Sequence, residues 1–335
     1  MNIQNKFDTL SKLIGNTPLL EIELSYKGKI RKIYAKAEYY NFTGSIKDRM
    51  AFHILKKAYE NRSIQEGNTI VEATSGNTGI SFSAIGKYLG HKVVIYMPDW
   101  MSAERKALLK AYGAEIKFVS REEGGFIGSV AKAKEFATVN PNTFFPDQFS
   151  NFNNTEAHAI STGPEIANQL KSIGKTADAV VAGVGTGGTL CGIGNFLKTV
   201  NQNLKLYPLE PVSSPTLSTG FKTGSHRIEG ISDQFIPDIV KNAKLDDVIT
   251  VHDGDAILMA QQLSQKLGIG VGISSGANLI GALKVQDMIG YDKNIVTVFA
   301  DDCKKYLSTD YSKNEPVKND YITPNVELLS FKSIR

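Results

Sequence analysis

Short apolar runs alternate with helical patterns along the first half of the chain. Thr69–Ala73, Lys92–Met97 and Glu115–Val119 each predict a strand. Ile80–Leu89 and Ser102–Tyr112 lie between them and predict helices, the second with a serine suited to the N-cap. Because strands and helices alternate, we expect a parallel sheet with helices on its faces.

The same rhythm returns in the second half of the chain. Ala179–Ala182 and Asn294–Phe299 predict buried strands. Thr189–Val200, Asp255–Leu267 and Gly276–Ile289 predict helices. The repeated alternation indicates a second α/β unit.

Three further segments define the organisation of the chain. Leu204–Tyr207 predicts a short strand that ends at Pro208, because proline cannot donate to a sheet ladder. Asn140–Asn154 is polar and suits a crossover between domains, and Ser312–Asn325 is polar and predicts irregular structure. We expect a smaller α/β domain over 42–154, a larger one over 1–41 plus 155–325, and a C-terminal tail over 326–335.

Composition supports a globular protein of about two domains. The chain has 335 residues, 41% of them hydrophobic, and a domain takes roughly 150 residues. The net charge of +4 does not favour nucleic-acid binding. Two cysteines, Cys191 and Cys303, form no disulfide framework, the five histidines show no metal-ligand spacing, and no long apolar run predicts a membrane span. We expect a cytoplasmic protein that holds no metal and binds small molecules rather than nucleic acid or membranes.

Two glycine-containing turns follow predicted strands and precede predicted helices. Gly183–Gly188 reads GVGTGG and suits an anion, since backbone N–H groups and the helix N-terminus point at the same place. It also fits a dinucleotide fingerprint, with Glu210 as the acidic residue about twenty positions on, or a tight turn without a ligand. Thr74–Gly79 reads TSGNTG, and its hydroxyls suit either a carboxylate or helix capping. In open α/β sheets, ligands bind at such strand ends, so we expect a cleft between the two domains.

Two more segments have possible chemistry. Asn41–Met50 reads NFTGSIKDRM, and Lys47 within it is either a surface charge or an amine that forms a Schiff base in a cleft. Gly272–Gly276 reads GISSG, in which Ser274 or Ser275 suits a helix cap or a hydrogen bond to a ligand.

The order and spacing of these four motifs resemble the cysteine synthase and cystathionine β-synthase family of pyridoxal-phosphate enzymes, which have fold type II. The resemblance runs from about Ile14 to Thr309. It implies a mostly parallel, twisted sheet in each domain, with the cofactor in the cleft between them. It also implies a homodimer, and some relatives bind the tail of a serine acetyltransferase in this cleft.

The resemblance also implies a role for each motif residue. Lys47 would hold the cofactor as an internal aldimine and later accept the Cα proton, Asn77 would contact the ring hydroxyl, and Ser274 would face the pyridine nitrogen. These three positions favour pyridoxal phosphate over a nicotinamide cofactor. The substrate carboxylate would contact Thr74, Ser75, Thr78 and Gln148. The cofactor phosphate would contact Gly185, Thr186, Gly187, Gly188 and Thr189.

The serine at position 274 bears on the reaction that we expect. A hydroxyl cannot keep the pyridine nitrogen protonated, so the ring is a weaker electron sink than it is beside an aspartate. This favours loss of a β-substituent from a cysteine-like amino acid through an aminoacrylate. The nucleophile that attacks the aminoacrylate then decides the product.

One loop departs from the usual cysteine synthase pattern. Residues 230–235 read GISDQF, where cysteine synthases usually have GIGAGF. Asp233 could act as a general base toward water, which would convert L-cysteine into hydrogen sulfide and L-serine. The alternatives are that Asp233 faces solvent, or that it recognises the amine of a larger second substrate. Glu229 and the segment Asp147–Phe149 are closer to cystathionine β-synthases, and His226 matches a histidine of the family.

We therefore predict a lyase that releases hydrogen sulfide from L-cysteine. O-acetylserine sulfhydrylase activity is the first alternative, and β-replacement of the cystathionine β-synthase type is the second. A nicotinamide-dependent oxidoreductase is the remote alternative.

Overall fold

The computed structural model describes residues 2–74, 76–221, 224–232, 234–241 and 243–335. Its strands form two separate sheets, one of seven strands and one of four. In chain order the strands are β1 (Leu19–Tyr26), β2 (Lys29–Ala37), β3 (Thr69–Ala73), β4 (Lys92–Pro98), β5 (Glu115–Val119), β6 (Thr143–Phe144), β7 (Ala179–Gly183), β8 (Lys205–Pro211), β9 (Ile249–Val251), β10 (Ile295–Phe299) and β11 (Val326–Ile334).

Helices connect these strands and cover the sheets, as the alternating pattern predicts. Most of them follow a strand directly. In chain order the helices are α1 (Ile3–Leu10), α2 (Lys47–Glu60), α3 (Asn77–Leu89), α4 (Ala103–Ala111), α5 (Gly125–Val139), α6 (Asn153–Ala157), α7 (Gly163–Ser172), α8 (Gly188–Val200), α9 (Thr216–Thr219), α10 (Asp238–Lys241), α11 (Asp253–Leu267) and α12 (Ile273–Ile289).

Both sheets are built around a parallel centre. The larger sheet has the order β11-β1-β2-β10-β7-β8-β9, in which β2, β10, β7, β8 and β9 pair in parallel and β1 and β11 pair antiparallel. The smaller sheet has the order β5-β4-β3-β6 and is parallel throughout. Strand β10 is buried along its whole length, because helices cover both faces of a parallel sheet. The fold is therefore α/β, as the sequence predicts.

The structure corrects three details of the sequence interpretation. Strand β8 continues through Pro208. Proline lacks a backbone N–H, but β9 pairs with β8 only from Leu209 onward, so no hydrogen bond to β9 is lost at Pro208. Residues 326–335, expected as a C-terminal tail, supply β11, which pairs with β1 at the edge of the larger sheet. Helix α1 packs through Phe7 and Leu10 into the core beside the smaller sheet, although residues 1–41 were expected in the larger domain. The domain boundaries themselves stay predictions.

The main apolar cores lie against the two sheets. The largest joins α11 and α12 to one face of the larger sheet, and a second joins α7 and α8 to its other face. A third joins α1, α2, α3 and α4 to the smaller sheet. Within the described parts of the chain, no helix is long and apolar enough to cross a membrane.

Candidate active site

A single cavity gathers most of the predicted site residues at the carboxyl ends of β3, β7 and β10. Gly188 lies beside it in the first turn of α8, and it is buried. Ser75 and Asp233 are outside the described residues. The predicted residues that line the cavity are Lys47, Thr74, Asn77, Thr78, Gln148, Gly185, Thr186, Gly187, Thr189 and Ser274.

The glycine turn between β7 and α8 forms one wall of the cavity. Gly187 has φ +85°, and a Cβ there would lie 2.2 Å from Val240. A Cβ on Gly185 would lie 2.4 Å from the Gly230 carbonyl oxygen. Among the described residues, the backbone N–H groups of Gly185, Thr186 and Gly187 have no acceptor. Those N–H groups and the start of a 13-residue helix suit a phosphate dianion.

Asn154 connects the glycine turn to the residues expected to bind the substrate carboxylate. Its side-chain Nδ2 donates to Thr186 Oγ1 and to the Gln148 carbonyl oxygen, both at 2.9 Å. A Cβ on Gly188 would lie 2.0 Å from Asn154 Oδ1, so α8 must begin with a glycine for Asn154 to fit. The sequence interpretation placed Asn154 only in a polar crossover.

A buried histidine supports the glycine turn from behind. His158 Nε2 lies 3.4 Å from Thr189 Oγ1, and its Nδ1 lies 2.9 Å from Thr162 Oγ1. Burial, with the nearby positive charge of Arg49, lowers the pKa of His158 to about 3. The imidazole is therefore neutral at physiological pH. It lies in a π-helical turn over His158–Thr162, a feature that is frequent at functional sites.

The turn after β3 forms the opposite wall. Thr78 Oγ1 donates to Gln148 Oε1 at 2.6 Å, and Gln148 Nε2 donates to the Ala73 carbonyl oxygen at 3.0 Å. The Gly76 N–H donates to Thr74 Oγ1 at 3.1 Å. Three predicted carboxylate contacts, Thr74, Thr78 and Gln148, are thus together at one end of the cavity.

An unexpected acidic residue lies beneath this turn. Glu72 on β3 accepts hydrogen bonds from the backbone N–H of Ala73 at 2.8 Å and of Gln148 at 3.3 Å. Burial raises the pKa of Glu72 to about 8. Asp147, next to Gln148, has φ +50°, an uncommon conformation for a residue other than glycine.

Lys47 is the first residue of α2, and both neighbouring positions anchor the start of this helix. The buried Asp48 carboxylate accepts from Thr43 Oγ1 and Ser81 Oγ, each at 2.6 Å. The Ile46 N–H donates to the Ala300 carbonyl oxygen at the end of β10, at 2.9 Å. The amine of Lys47 is therefore carried on a fixed backbone at the cavity wall.

The GISSG segment lies inside the first turns of α12 rather than before the helix. Ser274 is buried and lines the cavity, whereas Ser275 Oγ accepts from the Ala300 N–H at 3.0 Å. One turn further on, Asn278 Oδ1 accepts from the Gly183 N–H at 2.8 Å, and Asn278 Nδ2 donates to the Val298 carbonyl oxygen at 2.8 Å. Of the two candidate serines, Ser274 is the one that faces the cavity.

The acidic residue of the dinucleotide fingerprint is used elsewhere. Glu210 is fully buried, and its carboxylate accepts from the N–H of Leu217 at 2.6 Å and from the N–H and hydroxyl of Ser218. It does not line the cavity, so Glu210 is not placed to bind the ribose of a nicotinamide cofactor there.

A second, outer cavity opens beside the first. Arg105, Phe126 and Glu229 line both cavities, and Arg105 forms an ion pair with Glu229. His226 lines the outer cavity only, with Nε2 lying 3.0 Å from the Ser232 carbonyl oxygen. The pair of Arg105 and Glu229 thus lies at the boundary between the inner site and its opening. No local motif marks Arg105 as a site residue, so sequence interpretation missed it.

The cavity as a whole fits a flat ligand with a phosphate at one end. The glycine turn supplies N–H donors that have no acceptor within the described part of the chain, Asn77 and Ser274 supply polar atoms along the walls, and Lys47 supplies an amine. The hydroxyl and amide groups around Thr78 and Gln148 suit a carboxylate beside that ligand. This donor set fits pyridoxal phosphate bonded to an amino acid.

Comparison with known proteins agrees with this fit. Residues 10–301 match the family model described as pyridoxal-phosphate dependent enzyme. The chain is 41% identical over 298 residues to a probable cysteine synthase of Bacillus subtilis, which covers 89% of this chain and 95% of that protein.

Solved structures are similar over almost the whole chain. A hydrogen sulfide-producing enzyme of Fusobacterium nucleatum superposes with a TM-score of 0.96 and is 59% identical, covering 99% of both chains. An aspartate-to-asparagine variant of that enzyme, in complex with an α-aminoacrylate intermediate, gives a TM-score of 0.95 at 59% identity and covers 97% of this chain and 98% of that one. The chain therefore belongs to the cysteine synthase and cystathionine β-synthase family of pyridoxal-phosphate-dependent enzymes, and pyridoxal 5′-phosphate is its cofactor.

Proposed function

We propose that this enzyme releases hydrogen sulfide from L-cysteine and adds water to give L-serine. The observation that carries the proposal is the 59% identity, over 99% of both chains, to a hydrogen sulfide-producing enzyme. The net reaction is L-cysteine plus water to sulfide plus L-serine. The active form that we propose is a homodimer, in a cytoplasmic setting.

The cofactor, when bound, supplies an electron sink that makes the Cα proton acidic and the β-substituent a leaving group. Lys47 would hold the cofactor and accept the Cα proton, since its backbone is fixed at the cavity wall by neighbours on both sides. The donors around Thr78 and Gln148 would fix the substrate carboxylate, which orients the Cα–H bond.

Asp233 is the proposed general base that activates the water. The residues on either side of it, Ser232 and Gln234, line the outer cavity, which supports a place for this loop over the site. The ion pair of Arg105 and Glu229 lies where the two cavities meet, close to the place at which this water would enter. A carboxylate at this place would also repel bisulfide, which disfavours cysteine synthesis.

Product analysis tests the proposal. Purified enzyme receives L-cysteine alone, and sulfide, serine and pyruvate are quantified together. We expect sulfide and serine in equal amounts. Sulfide with pyruvate instead of serine would remove water addition from the proposal. Little sulfide, with turnover of O-acetylserine plus sulfide, would replace it with cysteine synthesis, the activity named for the Bacillus subtilis relative.

Two variants separate the proposed roles. Lys47→Ala should abolish both the yellow colour of the holoenzyme and its turnover, because the amine that bonds the cofactor is lost. Asp233→Asn should keep the colour and the release of sulfide in the first turnover, but lower serine output by at least about 100-fold. Unchanged serine output in Asp233→Asn would contradict the role of this carboxylate.

A further inference from the structure

The side-chain amide of Asn77 is held between two oppositely charged residues. Asn77 Nδ2 donates to Asp301 Oδ2 at 2.7 Å, and Lys305 Nζ donates to Asn77 Oδ1 at 2.9 Å. A carboxylate only accepts hydrogen bonds and an ammonium group only donates them. The amide therefore has one possible orientation, and one of its two N–H bonds is left over for the cavity that Asn77 lines.

Asp301 is tied to its surroundings on several sides. Its side chain is fully buried, and Oδ2 also accepts from the Tyr306 hydroxyl at 2.6 Å. Its backbone pairs with Ser45, two positions before Lys47, in an isolated bridge. The Gly272 N–H donates to the Asp301 carbonyl oxygen at 3.0 Å, and a Cβ on Gly272 would lie 2.1 Å from Asp301 Oδ1. Asp301 thus contacts the segments that carry three of the predicted cofactor contacts.

Lys305 is also held in place. It lies in the 3-10 turn Cys303–Tyr306 that follows β10, and its side chain is 3% exposed. Its Nζ donates to the Gly44 carbonyl oxygen at 3.0 Å as well as to Asn77. A buried ammonium group needs such acceptors, so the position of Lys305 is fixed independently of any ligand.

We propose that Asp301 and Lys305 are positioning residues that act through Asn77. They turn its amide so that the remaining N–H faces the ring oxygen of the bound cofactor. Without them the amide can rotate and present its oxygen to that ring oxygen, and two acceptors would then face each other. The inference depends on the proposed contact of Asn77 with the cofactor, and not on which amino acid is the substrate.

The first experiment measures the affinity of the apoenzyme for pyridoxal phosphate. The apoenzyme is titrated with the cofactor, and binding is detected by the change in absorption. Asp301→Ala and Lys305→Met should each raise the Kd by about tenfold, the size expected when a charge-assisted contact is lost. Asp301→Asn and Lys305→Arg keep an acceptor and a donor in place and should restore most of the affinity. Lys304→Met is the matched control, because Lys304 is adjacent in sequence and exposed.

The second measurement is the absorption spectrum of the holoenzyme as pH is varied. Loss of the N–H donor makes the anionic ring oxygen less favourable, so the band of the form protonated at that oxygen should gain intensity in Asp301→Ala and Lys305→Met. A role confined to folding would leave this ratio of bands unchanged. Unchanged spectra in both variants would overturn the proposal.

A double-variant comparison shows whether the effect passes through Asn77. In an Asn77→Ala background, adding Lys305→Met should change neither the Kd nor the spectrum further. Additive changes would mean that Lys305 acts by another route and would contradict the proposal. If Asp301→Ala does not fold, the proposal is tested with Lys305→Met alone, with Lys305→Arg and Lys304→Met as its controls. None of these readouts uses an amino-acid substrate, so failure of the proposed lyase activity would leave them interpretable.

Discussion

At the residue scale, burial and local partners determine what each polar group of the site can do. His158 is neutral because it is buried near the positive charge of Arg49. It therefore contacts Thr189 as an uncharged group and adds no charge of its own to the phosphate end of the cavity. Glu72 is shifted in the opposite sense, toward its protonated and neutral form, by burial beneath the turn that contains Thr74. Both groups lie one layer behind the cavity wall.

Glu72 leads to a prediction about stability and pH. Its pKa is about 8 in the folded protein, against an ordinary value of 4.5 for a glutamate side chain, so the folded state keeps a proton that the unfolded state loses between these values. Stability from this residue is therefore present below about pH 4.5 and declines as pH rises toward about pH 8. Glu72→Gln cannot ionise and should flatten that decline, as measured by urea unfolding at several pH values.

The quantity to compare between Glu72→Gln and the unmodified protein is the slope of the free energy of unfolding against pH, not its value at one pH. The amide has fewer acceptor sites than the carboxyl group toward the N–H groups of Ala73 and Gln148, so some overall destabilisation is expected. Parallel curves for the two proteins would show that Glu72 does not hold a proton in the folded state.

At the element scale, the turn between β7 and α8 has to combine a tight backbone with open N–H donors. Gly187 adopts φ +85° and has no space for a Cβ, because Val240 would lie 2.2 Å away. The same turn leaves N–H groups without acceptors among the described residues. The glycines are therefore required both by conformation and by space.

Gly187→Ala should lower the affinity for pyridoxal phosphate by about 100-fold or more. The added Cβ would collide with Val240, so the turn that carries the N–H donors would have to move. Gly268→Ala is the matched control, because Gly268 ends α11 with φ +69° and has nothing near its missing Cβ. Both variants carry the backbone strain, but only Gly187→Ala adds the collision at the site. Equal Kd values for the cofactor in the two variants would contradict this interpretation.

At the scale of the whole molecule, a buried ion cluster joins α2 to β2 and α7. Arg49 donates to Glu38 at 2.6 and 2.8 Å and to Glu165 at 2.7 and 2.8 Å, and Lys36 Nζ lies 2.8 Å from Glu165 Oε2. Burial opposes ionisation of Glu165, but Arg49 and Lys36 lower its pKa to about 2. The cluster fixes the helix that begins with Lys47 against the larger sheet.

Glu165→Gln should reduce the free energy of unfolding by about 3 kcal/mol, because it leaves buried positive charge without compensation. Glu60→Gln at the end of α2 is the control, since the pair of Lys57 and Glu60 is exposed and is worth less than about 1 kcal/mol. Urea unfolding of the two apoenzymes measures the difference. A similar loss in both variants would mean that the cluster does not stabilise the packing of α2.

The sequence by itself determined the features that depend on neighbouring residues. Strand β3 and strand β5 have the bounds that their apolar runs predict, and the glycine and hydroxyl turns follow β7 and β3 as expected. The order of the motifs then singled out a set of site residues, most of which line the cavity. Such features are local because periodicity and glycine conformation are read over a few positions.

Only the tertiary structure decided which distant residues stand behind those motifs. Asp301 meets Asn77 across 224 positions of the chain, and Asn154 meets Thr186 across 32. Pairing with β1 also makes Val326–Ile334 an edge strand of the larger sheet, and pairing with β7 extends β8 through Pro208. Each of these outcomes depends on contacts between elements that folding brings together, and no local pattern of residues encodes such contacts.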